Sequence, residues 1–85
     1  MSEEEASEGF EEVARRVLQA AAVEAYGRPE AYVARDQVMG RANIAEQSKF
    51  SSIGRYLENK GWIAQSTADY GVFTITAEGI RQATD

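Results

Sequence analysis

Neither cysteine nor histidine occurs among the 85 residues. Their absence excludes disulfides, a zinc site of the usual Cys/His kind, thiolate and imidazole nucleophiles, and every triad that turns on an imidazole base. Long apolar runs are missing too: none exceeds four residues, as at Ala20–Val23, whereas a membrane-spanning helix needs roughly 20. The first residues are acidic where a secretory signal would be positive, so the expectation is a cytoplasmic protein without a membrane partner. No G-x-G-x-x-G or G-K-[ST] phosphate loop is present. Acidic neighbours such as Glu11 and Glu12 have no fixed second group for acid–base work. The chain therefore reads as a non-enzyme that needs no metal and no cofactor.

The composition is that of a chain that folds. Hydrophobic residues make up 44% and charged residues 27%, which places it with globular domains and not with disordered segments. Its length suits one small domain with a single core.

The formal net charge of -5 argues at first against a polyanionic partner. However, Glu3, Glu4, Glu5, Glu8, Glu11 and Glu12 all precede the first basic residue, Arg15. From residue 13 onward eight acidic groups face nine basic ones, a net charge of +1. Between residues 13 and 63 there are eight basic groups against five acidic, a net charge of +3. Residues 1–8 thus read as an acidic tail and residues 9–85 as the domain. Such a tail is either a solvating, flexible terminus or an interaction segment that competes with phosphates for a basic surface.

Apolar residues at Phe10, Val13, Ala14, Val17, Leu18, Ala21 and Ala25 repeat at 3 and 4, which predicts a first helix. Gly27 and Pro29 should stop it near Tyr26. Glu11 with Arg15 and Glu12 with Arg16 stand in the favourable acid-first i,i+4 order on its outer face. Tyr32-Val33-Ala34 suits either a short strand or the start of a helix, which periodicity does not decide; a strand over 32–34 is favoured, followed by a short helix from about Asp36 to Arg41 with Val38, Met39 and Ala42 facing inward. Asn43 tolerates the left-handed conformation of a tight inter-helix turn, and Ile44 plugs that turn into the core. A third helix over Ala45 to Lys60 follows from Phe50, Ile53 and Leu57, capped by Gly61. Its central Gly54 is expected to allow close packing against another helix. Two β-rich stretches, Trp62 to Thr67 and Val72 to Thr76, flank the turn-forming Ala68-Asp69-Tyr70-Gly71 and predict a hairpin. Thr76 is a suitable N-cap for a last helix through Ala83, anchored by Ile80.

The stretch Ser51-Ser52-Ile53-Gly54-Arg55-Tyr56-Leu57-Glu58-Asn59-Lys60-Gly61-Trp62-Ile63 resembles the recognition-helix end of MarR-, PadR- and related winged-helix transcription regulators. Ile75-Thr76-Ala77-Glu78-Gly79 is similar to the segment that follows the wing in those proteins. The resemblance covers about residues 33 to 80. It implies an α+β winged helix-turn-helix with a three-helix core, a C-terminal β-hairpin wing and a short final helix, and a function in sequence-specific DNA binding and transcription regulation.

A rotation of 100° per residue about Ile53 turns Gln47, Ser48, Ser51, Arg55, Glu58 and Asn59 outward and Ser52 to the flank. A small polar face suits entry into the major groove, with Gln47 matched to an adenine edge, Arg55 to a guanine edge, and Ser48, Ser51 and Ser52 to bases or phosphates. Arg35, Arg41, Lys49 and Lys60 are the available phosphate partners. The wing tip departs from the family pattern: Ser66 to Gly71 contains Asp69 and no cation, leaving Thr67 and Tyr70 as hydroxyl contacts. A lone module makes a limited DNA interface, so a homodimer through the first helix and the C-terminus is expected. The alternative is a winged-helix module that binds a protein partner and not DNA, which the cation-free wing and total charge permit. RNA or single-strand binding is a third reading, disfavoured by the scarcity of aromatics suited to stacking.

Overall fold

The computed structural model describes residues 9–66 and 71–84. Among them four helices and a three-stranded antiparallel sheet alternate along the chain, an α+β arrangement. No helix among the described residues is long and apolar enough to cross a membrane.

Helix α1 spans Phe10–Glu24 and buries Val13, Ala14, Val17, Leu18, Ala20, Ala21 and Ala22. Three consecutive buried alanines mean that this helix is covered on more than one side, and it packs against all three other helices. Small side chains permit that close approach at little entropic cost. The helix ends two residues before the expected Tyr26. Tyr26 itself turns left-handed at φ 55°, ahead of Gly27 at φ 70°, and the Gly27 amide donates to the Ala22 carbonyl at 2.9 Å. Arg16 is half-buried and its Nε donates to the Ala42 carbonyl at 2.9 Å. This guanidinium therefore ties α1 to the end of the next helix, a use that the i,i+4 spacing to Glu12 did not indicate.

Strand β1, Tyr32–Ala34, leads directly into α2, Arg35–Ala42, one residue longer at each end than expected. Val38, Met39 and Ala42 are buried, as their spacing requires. Asn43 adopts φ 63°; its amide donates to the Gly40 carbonyl and that of Ile44 donates to Met39, the two bonds of a Schellman-type close. Ile44 is buried beneath this turn.

Helix α3 runs Gln47–Asn59. It starts two residues later than expected because Glu46 is extended, at φ -95° and ψ 124°. Its C-terminus repeats the closure of α2: Gly61 stands at φ 80°, its amide donates to Glu58, and the Trp62 amide donates to Leu57. Phe50, Ile53, Gly54 and Leu57 form the buried face. Gly54 faces not another helix but the Gln65 side chain: a β-carbon there would lie 3.3 Å from Nε2.

Strands β2, Ile63–Gln65, and β3, Val72–Ile75, are shorter than the expected stretches and pair antiparallel, with Ala64 opposite Thr74. β3 is the central strand and also pairs with β1, Val33 opposite Phe73. Val33, Phe73, Ile63 and Ile75 point into the core, where they meet Leu18, Ile53 and Leu57. Helix α4, Ala77–Thr84, opens on Thr76, whose hydroxyl accepts from the Gly79 amide at 3.0 Å, the expected N-cap. The same hydroxyl donates to the Gly61 carbonyl at 2.8 Å, and the Thr76 amide donates to Trp62 at 3.0 Å. One threonine thus starts α4 and fastens it to the junction between α3 and β2. The buried residues of α4 are Gly79 and Ala83, whereas Ile80, the expected anchor, is only partly covered.

Candidate nucleic-acid interface

The turn between α2 and α3 is held at Asn43 by the two amide bonds described above, so α3 leaves the body in a fixed direction. Its amphipathic pattern then decides which side chains face outward. Gln47, Ser48, Ser51, Ser52 and Arg55 are all exposed. Ser48, Ser51, Ser52 and Arg55 follow the i, i+3, i+4, i+7 spacing of one helical stripe, with Gln47 one turn before Ser51. No carboxylate interrupts residues 47 to 57, while Glu46 and Glu58 bound that stretch at its two ends.

The four expected phosphate partners separate into two groups. Arg35, at the start of α2, reaches the strip: its guanidinium lies 5.2 Å from the Phe50 ring centroid, and Nη2 donates to Ser51 Oγ at 3.4 Å. Stacking on a buried ring holds this planar cation beside the serine. Lys49 falls about 40° from Ile53 on the helical wheel, yet it is exposed, as are Gln47 and Ser48 beside it in the first turn of α3. It therefore lies at the first turn of α3, on the side of Ile53 and not on the strip itself.

Arg41 is engaged elsewhere, its Nε bonded to Glu24 Oε2 at 2.9 Å across α1 and α2. Lys60 folds over the rings of Tyr56 and Trp62, with its ammonium 5.5 and 5.7 Å from their centroids. The Arg41–Glu24 pair joins residues 17 apart in sequence, which no local spacing reveals, whereas Tyr56 and Lys60 stand at the i,i+4 spacing of one helix face. Thr67 and Tyr70, the expected wing contacts, lie outside the described residues.

The arrangement offers hydrogen-bond donors and acceptors on a narrow helical surface beside two arginines. Among the described residues no group of three or more His, Cys, Asp or Glu side chains could hold a metal ion. The link from Arg35 to Ser51 through Phe50 had no sequence signature, because it depends on how α2 and α3 cross. Comparison with protein-family models, with characterised proteins and with solved structures found no match.

Proposed function

We propose that this domain is a winged helix-turn-helix that binds double-stranded DNA and acts in transcription regulation. In this reading α2, the Asn43 turn and α3 are the helix-turn-helix, β2 and β3 are the wing strands, and α3 lies in the major groove. The observation that carries it is the exposed, carboxylate-free strip of Gln47, Ser48, Ser51, Ser52 and Arg55 on a helix whose opposite face is fully committed to the core. Side chains of this size allow a helix to approach base edges, and Arg55 has the fork geometry for guanine. Arg35 and Lys49 supply phosphate contacts that set register without reading sequence. Arg41 and Lys60 are left out because their contacts, with Glu24 and with the Tyr56 and Trp62 rings, are not with strip residues, whereas Arg35 is bonded to Ser51 of the strip. Two copies are needed for a specific interface of ordinary size, since one module contributes about 600 to 1,000 Å².

The test is binding of the full chain to a selected duplex before and after Arg55→Ala. The reading predicts a loss of about 1 to 3 kcal/mol with relaxed preference at one base position. Equal affinity and unchanged preference would contradict it.

A second reading is favoured by one observation: Glu46 and Glu58 close both ends of the strip, and two of the four nearby cations point elsewhere. A polar surface so bounded also suits a protein partner. Protein capture through α3 with no duplex binding at low salt would select that reading.

A further inference from the structure

A cleft of about 420 Å³ opens between the first half of α1, the C-terminal end of α3 and the residues leading into β2. Its volume falls within the range of small-molecule sites. The side chains that define its chemistry are Glu11, Glu12 and Arg15 on α1, Tyr56 and Lys60 at the end of α3, and Trp62. Two carboxylates and two cations thus surround two aromatic rings.

Lys60 is the informative residue. Its ammonium stands over both rings, and among the described residues no carboxylate lies within ion-pair distance of it. Glu11 and Glu12 line the same cleft from α1, exposed and likewise without an ion pair to Lys60. Charges of both signs, Arg15 among them, therefore line one cleft in which neither glutamate forms an ion pair with Lys60. A guest carrying both charges would offer a partner to each sign, whereas a simple anion would meet the glutamates and a simple cation the lysine.

We propose that this cleft binds a small zwitterion with an apolar body, an α-amino acid with an aromatic or branched side chain. The ligand carboxylate bonds the Lys60 ammonium, its ammonium bonds Glu11 or Glu12, and its side chain lies against Tyr56 and Trp62. Aromatic contact and cation–π attraction both favour a planar body there. The site is separate from the outward face of α3 and stands whether or not that face binds DNA.

Trp62 is the single tryptophan of the chain and reports on the cleft directly. The experiment titrates the full chain with L-phenylalanine, 3-phenylpropionate and phenethylamine while Trp62 emission is followed. L-phenylalanine should give a saturable change with a Kd of about 1 mM or tighter, and each single-charge analogue should bind at least about tenfold more weakly. Lys60→Met retains the unbranched stem over the rings. It should weaken L-phenylalanine by about tenfold and abolish its advantage over phenethylamine, with circular dichroism unchanged. Glu12→Gln with Glu11→Gln should abolish its advantage over 3-phenylpropionate. No saturable response up to about 10 mM would overturn the proposal. So would equal binding of the three compounds, or Lys60→Met binding L-phenylalanine as the native chain does.

Discussion

Gly54 and Gly79 are both buried within helices, yet their neighbours differ in kind. A β-carbon at Gly54 would meet only the terminal amide nitrogen of Gln65, at 3.3 Å, which can swing aside. At Gly79 it would overlap the Trp62 carbonyl oxygen and approach Ile75 Cγ1 to 2.8 Å. That carbonyl is fixed, because it accepts from the Thr76 amide. Gly54→Ala should therefore keep or raise the melting temperature, since alanine is better in a helix by about 1 kcal/mol. Gly79→Ala should lower it through about 1 to 3 kcal/mol of overpacking, a fall of several degrees for a domain of this size. Thermal unfolding of the two variants checks both signs, and a destabilised Gly54→Ala would show that Gln65 cannot move. For Arg35, stacking on Phe50 provides orientation that lysine cannot reproduce. Arg35→Lys should thus weaken duplex binding by about threefold to tenfold in an anisotropy titration, although the charge is retained.

Helices α2 and α3 close with the same pair of amide bonds, one around Asn43 and the other around Gly61. The left-handed residue at each turn is a local requirement, and it was legible in the sequence for that reason: asparagine and glycine are the residues that accept positive φ. Asn43→Gly should leave the melting temperature near its native value. Asn43→Ala should destabilise by about 1 to 2 kcal/mol, the cost of a left-handed residue with a β-carbon. The core face of α3 and the Thr76 cap were legible on similar grounds, since period and capping chemistry are local. Period left 32–34 open between strand and helix, and its pairing with β3 decides it. The later start of α3, the short hairpin strands and the partial exposure of Ile80 were not legible. They depend on what each segment meets in space. The site divides the same way: the outward direction of Gln47, Ser48, Ser51, Ser52 and Arg55 follows from helical geometry. The capture of Arg41 by Glu24 follows from the contact of α1 with α2, and that of Lys60 combines the i,i+4 position of Tyr56 on α3 with the approach of Trp62.

For the whole molecule, the excess negative charge of the sequence belongs to its first twelve residues, and the α3 strip carries a modest positive bias. With Arg35 and Lys49 assigned to phosphates and Arg55 to a base edge, two or three cations per copy are expected to displace counterions. Affinity for a duplex should then fall about 12- to 40-fold per bound copy between 50 and 200 mM salt, and a flat dependence would remove phosphate contact from the account. Inside the chain, α1 and α4 pack against each other, so the surface expected to join two copies is partly consumed within one. The apolar groups that α1 and the turn after it leave in solvent are Phe10, Val23 and Tyr26, the last 87% exposed. Sedimentation with and without duplex separates a preformed dimer from two copies assembled on DNA; one copy per site at saturation would contradict the pairing.

The central claim is that the outward strip of α3 is the surface that meets DNA. Its most direct test is a residue-resolved NMR titration of the full chain with a short duplex. The account predicts that amide shifts concentrate at Gln47, Ser48, Ser51, Ser52 and Arg55, with Arg35 moving alongside, while core amides such as those of Val17 and Ile75 stay in place. Absence of shifts at low salt, or shifts confined to surfaces away from α3, would contradict it.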